Sequence, residues 1–308
     1  VNVITKSGGN EFTGDVFYYY ESKGLQASNK HAGDDLQGFK PLPVGFRNAD
    51  FGFDLGGYLI KDKLWFLVAY DRSNRSSQDR ILTGETAGSL ATNKSTRDLF
   101  AGKLTWRIND SQSLVASFLG DPEKLTGAVK PALGPVDTYT GINKTGGTDL
   151  SLRYEVTGTD WFAQAQMSRH RETNSILPEG PGANVVQLTD NTPIDPINNP
   201  FGPGSVSGGF GRFDEKDFIR DTFAASFSKV LGPHEFKVGL DFQSDKADTR
   251  RGLSGGQSVV KKVNPNDSLR PVYQHFWWTT PDASLPDAPS ITFTSKPKHE
   301  SRAYFAQD

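Results

Sequence analysis

The side chains that most often do chemistry are poorly gathered in this sequence. Its five histidines, His31, His170, His234, His275 and His299, are scattered along 308 residues with no two at metal-ligand spacing. No G-x-S-x-G turn, no phosphate-binding Walker loop and no H-E-x-x-H helix occurs. Cysteine is absent, which excludes thiol nucleophiles, thiolate metal sites and disulfide scaffolds. Carboxylates at Asp34-Asp35 and at Asp245 and Asp248 fall in segments that read as solvated surface loops, and neither has the spacing of an EF-hand calcium loop. The run Gly202-Pro203-Gly204-Ser205-Val206-Ser207-Gly208-Gly209-Phe210-Gly211 lacks the G-x-G-x-x-G spacing and reads as a flexible loop tip. No catalytic residue, metal ligand or cofactor site emerges, so the chain reads as something other than an enzyme.

Two groups of residues are better suited to binding. Tyr273, Phe276, Trp277 and Trp278 crowd one polar segment, where flat aromatic faces could stack on sugar rings or other planar ligands, or could pack the loop or sit at a lipid boundary. Lys103, Arg107, Arg153, Glu155, Lys237 and Asp241 alternate with apolar residues, and so form the wet face of whatever sheet carries them.

The elements that must position these groups follow from length and pattern. At 308 residues the chain exceeds a typical domain of about 100–200 residues, which leaves two modest domains or one large β architecture. Lys and Arg number 34 against 36 Asp and Glu, so no basic field exists to hold nucleic acid. The longest apolar run, Leu64-Trp65-Phe66-Leu67-Val68-Ala69-Tyr70, is far short of the roughly 20 residues of a spanning helix. No secretory leader is visible in Val1-Asn2-Val3-Ile4-Thr5-Lys6.

Period two dominates the ordered stretches. In 235–243, Phe236, Val238, Leu240 and Phe242 share one face, and Lys237, Gly239, Asp241 and Gln243 the other. Leu150, Leu152, Tyr154 and Val156 oppose Asp149, Ser151, Arg153 and Glu155 in the same way, and Phe100, Leu104, Trp106 and Ile108 oppose Lys103 and Arg107. Alternation alone fits a sandwich and a barrel equally. Connection lengths separate the two. Strands at about 14–21, 49–60, 63–72, 96–108, 112–120, 147–156, 160–171, 217–230, 234–243 and 300–308 are joined alternately by tight turns and by long connections. The turns fall at 61–62, 109–111, 157–159 and 231–233, and the connections at 22–48, 73–95, 121–146, 172–216 and 244–299. Strict alternation puts every turn at one rim and every long loop at the other. That is the plan of an all-β, antiparallel, up-and-down transmembrane β-barrel with short periplasmic turns and long extracellular loops. Phe17, Tyr18, Tyr19, Tyr20 and Tyr70 near the loop ends, with Trp65, Trp106 and Trp161 near the turn ends, are placed as interfacial girdles would be.

Three motifs then resemble a known family. Val1-Asn2-Val3-Ile4-Thr5-Lys6-Ser7-Gly8-Gly9-Asn10-Glu11-Phe12-Thr13-Gly14 is similar to the plug-to-barrel junction of TonB-dependent outer-membrane receptors. Phe51-Gly52-Phe53-Asp54-Leu55-Gly56-Gly57-Tyr58-Leu59-Ile60-Lys61-Asp62-Lys63-Leu64-Trp65-Phe66 is similar to the GGPIxKDKLFFF hairpin of the Oar-like branch, which carries a carboxypeptidase-regulatory-like domain, with Tyr58 in place of the usual Pro. Tyr304-Phe305-Ala306-Gln307-Asp308 resembles the YxQD strand of the same branch. The resemblance implies that 1–13 is the end of a plug domain and its junction, and that 14–308 is the N-terminal portion, about ten strands, of a larger barrel of about 22 strands. It implies energy-coupled uptake of a bulky, unidentified nutrient across a bacterial outer membrane. Outer-membrane lipid would be a partner, and so would the TonB system, acting through a plug segment not present in this chain. It implies that the charged face looks into the lumen. A non-transporting surface binding or adhesion barrel is the alternative, and a closed ten-stranded outer-membrane protease barrel the third reading.

Overall fold

A computed structural model describes residues 6–26, 44–80, 88–130, 134–195, 197, 199, 202–267, 270–279, 289–290 and 292–308. Ten antiparallel strands follow one another in chain order, each paired with the next. They are β1 (Thr13–Ser22), β2 (Gly45–Ile60), β3 (Leu64–Arg80), β4 (Leu90–Asn109), β5 (Gln112–Gly120), β6 (Gly147–Thr157), β7 (Trp161–Thr173), β8 (Arg212–Leu231), β9 (His234–Leu253) and β10 (Lys298–Gln307). Three of them continue beyond a short break on the loop side: β5 as Glu123–Ala128, β6 from Thr140–Thr145, and β7 as Ser175–Pro178. Those continuations fill the space between the long strands β4 and β8, so the meander stays in order to its top. Among the described residues β1 and β10 are each paired on one side alone. No helix among the described residues is long and apolar enough to cross a membrane.

The turns lie on one rim, as the register shows. Leu64 opposes Trp106, Gln112 opposes Val156, Trp161 opposes Lys229, and Lys237 opposes Gln307, so all four hairpin ends stand at the same edge of the sheet. Their lengths differ from the sequence reading by a residue or so. The first spans Lys61–Lys63, with Asp62 at φ 63°, and Lys63 N–H bonds back to the Ile60 carbonyl. Asp is one of the few side chains tolerated there, which is why this turn manages without glycine. The second is Asp110-Ser111, held by Asn109 Oδ1, which accepts from Ser111 N–H at 3.0 Å. The third is Gly158–Asp160, and the fourth Gly232-Pro233 with Gly232 at φ 63°.

β4, β8 and β9 run to 20 residues each, about twice what a bilayer requires, and so carry the sheet well past it on the loop side. Asp245 and Asp248, expected in a loop, therefore stand on β9. Asp245 pairs with Arg220 at 2.6 Å and Asp248 with Lys296 at 2.8 Å, and these ion pairs occupy the carboxylates that a calcium site would have needed. Asp34-Asp35 and His31 lie outside the described residues.

Four phenylalanines lie across strand pairs onto glycine: Phe17 opposes Gly52, Phe100 opposes Gly120, Phe305 opposes Gly239, and Phe213 opposes Gly252. A Cβ on Gly239 would stand 2.4 Å from the Phe305 ring, and one on Gly120 would stand 2.1 Å from that of Phe100. Each ring thus covers backbone that a side chain would otherwise shield, a pairing that pins register. Gly102 has nothing nearer than the Phe118 carbonyl at 3.9 Å and so lacks this constraint. Gly239→Val should accordingly cost about 1–3 kcal/mol of stability by overpacking. Gly102→Val should stay within roughly 0.5 kcal/mol. Urea titration of both variants refolded in lipid vesicles measures the difference, and equal costs would remove the ring-on-glycine account.

Candidate functional site

Two faces of the sheet, the N-terminal segment and the loop end can each touch something else. Cross-strand partners share a face, so the register sorts them. One row runs Leu104, Ala116, Leu152, Met167, Phe223, Phe242, and the next runs Trp106, Leu114, Tyr154, Ala165, Ala225, Leu240, Tyr304. The apolar residues of the alternating strands therefore form one continuous oily face. On the other face Arg107 shares a row with Ser113 and Glu155, and Arg153 shares one with Gln166, Ala224 and Asp241. Lys103 begins a third row through Ser117, Ser151, Ser168, Thr222, Gln243 and Ser301. Lys237 stands four residues from Asp241 on the same face. All six charged residues selected from the sequence are thus on one side of the sheet.

That face is internally hydrogen-bonded. Arg153 and Glu155 are 3.3 Å apart, Glu155 accepts from Ser113 Oγ at 3.2 Å, and Arg107 reaches Asp110 of the second turn at 2.7 Å. The hydroxyls of Ser117 and Ser151 meet at 2.6 Å, as do those of Ser168 and Thr222. Alternation marks the charges but not this hydroxyl row, because a lone Ser in an alternating strand carries no signal of its cross-strand partners.

The N-terminal segment is clasped to the first turn. Asn10 Oδ1 accepts from Asp62 N–H at 2.9 Å and from Trp65 Nε1 at 2.8 Å, while Asn10 Nδ2 donates to Asp62 Oδ1 at 2.5 Å. The Phe12 ring lies 4.9 Å from that of Tyr58, against Gly57. Gly8 passes so close to the strands that a Cβ there would fall 2.1 Å from the Phe66 carbonyl oxygen. Trp65, expected in a lipid girdle, is thereby corrected. It opposes Thr105 on the charged face and spends its N–H on Asn10, whereas Trp106 and Trp161 stand on the oily face.

At the loop end the long connections build a cap with the only fully packed core among the described residues. Phe210 is 0% and Tyr139 2% exposed, which overturns the reading of 202–211 as a flexible tip. Four short strands form a sheet in the order Ser205–Gly208, Gln187–Asp190, Ser258–Lys262, Val272–Phe276. Ser254, 1% exposed, ties two loops together: its Oγ donates to the Val185 carbonyl at 2.6 Å and accepts from Gly211 N–H at 2.7 Å. Lys130 ties in a third. Its Nζ donates to the carbonyls of Phe210 at 2.7 Å and Arg212 at 2.5 Å, and lies 3.6 Å from the centre of the Phe210 ring. Burial pulls the Lys130 ammonium down from 10.5 to about 8; the Asp214 carboxylate opposes the shift and the Arg212 cation adds to it. In the cap sheet Asp190 and Lys261 pair at 2.7 Å, both largely buried. Burial works to raise the Asp190 carboxyl, but hydrogen bonds from Lys261 and Thr192 outweigh it and hold the group below its usual range.

The aromatic segment lies on the rim of this cap. Val272–Phe276 is an edge strand whose Tyr273 opposes Lys261 and whose Phe276 opposes Ser258, so the two rings point to opposite sides. Tyr273, Phe276 and Trp277 are each about half exposed at 51, 50 and 47%. Trp278 contributes backbone pairing to Ser290, and its side chain lies outside the described set. The four residues are brought to one edge but not to one flat platform. No group of three or more His, Asp and Glu that could hold a metal occurs among the described residues.

The Lys130 arrangement has a pH consequence. Between about 8 and 10.5 the unfolded chain holds a proton that the folded cap has shed, so stability rises with pH across that window. Urea midpoints of the cap core should climb from pH 7.5 to pH 10, and Lys130→Met should flatten that rise. A midpoint that falls over the same interval would contradict the assignment.

Comparison with known proteins bears on identity. Residues 4–93 match a family described as an outer membrane beta barrel domain. The chain is 24% identical over 330 aligned positions to the TonB-dependent transporter Oar of Myxococcus xanthus, a match covering 83% of this chain and 31% of that protein. The chain thus spans about a third of the length of the curated relative it matches. Among solved structures, the outer membrane transporter YddB of Escherichia coli superposes with a TM-score of 0.51 at 9% identity, over 85% of this chain and 34% of YddB. The siderophore receptor PirA of Acinetobacter baumannii gives a TM-score of 0.45 at 14% identity, over 83% of this chain and 38% of PirA. The sequence motifs' resemblance to the TonB-dependent, Oar-like branch is borne out, as are the all-β antiparallel fold and a place in the bacterial outer membrane.

Proposed function

We propose that this outer-membrane β-barrel chain, similar over most of its length to a TonB-dependent transporter, is part of a receptor that takes up a bulky nutrient by TonB-coupled transport. In this reading residues 1–13 are the end of the plug and its junction, and 14–308 are the N-terminal part of the barrel. The oily face meets lipid, and the face bearing Lys103, Arg107, Arg153, Glu155, Lys237 and Asp241 looks into the lumen. The cap stands outside the cell, where its edge aromatics can reach a ligand. TonB would act on the receptor through its plug.

One observation carries the proposal: a meander with all its tight turns at one rim and a folded cap at the other, built on a sheet with one oily and one hydrogen-bonded face. A surface adhesion barrel would display the same loops, so energy coupling is the discriminating property. Cells with and without the full-length receptor, each with and without TonB, should differ in depletion of large solutes from the medium. Uptake needs both proteins, whereas TonB-independent surface retention would favour adhesion.

The face assignment has its own measurement. Leu240→Lys, within the apolar stretch 236–242 of β9, should cost about 2–4 kcal/mol of folding free energy in a bilayer, and Lys237→Asn much less. Equal tolerance of the two would reverse or abolish the assignment. For the aromatic edge, Trp277→Ala and Trp278→Ala should weaken binding of the transported solute by roughly 1 kcal/mol per stacked ring while barrel assembly survives. Lower folding yield at unchanged affinity would mean that the rings merely pack the loop.

A further inference from the structure

The oily face does not end in the same way around the sheet. On β3 and β4 the rungs above it hold Arg72 and Asp98, paired at 3.7 Å, and then Asn74 and Thr96. On β7 to β10 the apolar row Met167, Phe223, Phe242 gives way to Arg169, Asp221, Ser244, Glu300, and then to Arg171, Ile219, Lys246, Lys298. Arg302 extends the apolar row itself, opposite Phe242. Five cations therefore meet two carboxylates over adjacent rungs of one sector. Arg169 is already bound to Asp221 at 2.6 and 3.1 Å, and Glu300 is shared by Lys298 and Arg302. Higher still, Lys296 pairs with Asp248 and Arg250 with Glu215. In the upper cationic row Lys246 and Lys298 stand directly opposite each other, with Lys298 leaning on Glu300 of the rung below.

Like charges facing across a strand pair destabilise a sheet. Arg171 lies in the same row, two strands away, and Arg171 and Lys246 are both exposed. Same-face rows are spaced about 7 Å along a strand, so a tilted row one or two rungs above the last apolar one falls at headgroup depth. Cations at that depth attract anionic lipid, at about 1 kcal/mol each. Arg supplies a fork suited to phosphate, and Lys a mobile point charge.

We propose that Arg171, Lys246 and Lys298, with Arg169 and Arg302 beneath them, form a binding site for the phosphate of a phosphorylated glycolipid headgroup in the outer leaflet. The inference rests on the oily face meeting lipid. The phosphate would sit between Lys246 and Lys298, turning their repulsion into a shared contact, and would draw Arg171 toward it. The β3 and β4 sector, which sets the single cation Arg72 next to the oily face, would bind no such lipid.

The test uses the full-length receptor in nanodiscs of phosphatidylcholine alone, or with diphosphorylated or fully dephosphorylated lipid A. Native mass spectrometry reads lipid retention and thermal unfolding reads stability. The parent should retain diphosphorylated lipid A in preference to the dephosphorylated form. Lys246→Gln with Lys298→Gln should cut that retention roughly tenfold or more, at about fivefold per cation, and Arg72→Gln should leave it unchanged. In phosphatidylcholine alone the double variant should be about as stable as the parent, since the relieved like-charge contact offsets the lost Lys298–Glu300 pair, and in diphosphorylated lipid A it should be less stable. Undiminished retention by the double variant, or a parent indifferent to phosphate, overturns the proposal. A fluorophore on Leu240→Cys, quenched by brominated acyl chains in the same discs, reports separately whether the oily face meets lipid. Quenching with indifference to phosphate rejects the site alone, and absence of quenching rejects the face assignment beneath it.

Discussion

Inside a bilayer an unpaired N–H or carbonyl costs several kcal/mol, and no water is present to relieve it. Every strand must therefore complete its rungs with a neighbour. Because side chains alternate with period two, a slip of one residue in any pair would turn a whole strand inside out. The pairing from β2 to β9 meets both demands at once. Bulges interrupt the register near the first two turns, at Tyr58/Ile60 and Arg107/Asn109, and leave the faces above them in phase. The phenylalanine-on-glycine pairs act in the same direction, because a shifted rung would drive each ring into a Cβ instead of bare backbone. The oily face, the hydroxyl row and the cationic row all exist because this phase is kept across the sheet.

The cap obeys a different rule. The spanning region leaves large apolar side chains exposed on the sheet face, Val238 at 48% and Tyr304 at 70%, while the buried core belongs to Phe210, Tyr139 and Val259 in the loops. A sheet that meets lipid has no need of an interior, whereas loops that meet water must build one. Lys130 shows the cost of doing so with few residues: a cation is buried to satisfy two carbonyls, and its proton is loosened in consequence.

How legible this was depended on whether the signal was local. Two-residue alternation exposed the strands and their faces, and the rhythm of turns and loops exposed the meander, because both depend on neighbours in sequence. The motif around Asn10 and that around Asp62 could be recognised separately, but nothing in either says that one side-chain amide bridges them across 52 residues. Trp65 was misplaced for the same reason. An aromatic near a strand end suits a lipid interface, and its true partner lies in another segment. The glycine-rich run around Phe210 looked like a free tip since glycine serves mobile and tightly packed backbone alike. A Cβ at Gly209 would stand 1.7 Å from the Val185 carbonyl oxygen, a closeness that composition cannot reveal. The long strands were read short because charged residues such as Asp245 on β9 resemble loop until their cross-strand partners are known.

The breaks in β5, β6 and β7 fall side by side, at Asp121-Pro122, at Gly146 and at Asn174. Pro122 has no N–H to give, Gly146 sits at φ 91°, and Asn174 N–H reaches outward to the Lys216 carbonyl. Three adjacent strands are thus scored along one line, as a card is scored before folding, while β4 and β8 run through unbroken on either side. A bend along such a line would disturb the fewest rungs of these three strands, and β4 and β8 brace it on either side. Any tilt of the cap about that line would carry three loops together, since Lys130 and Ser254 have already fastened them to one another.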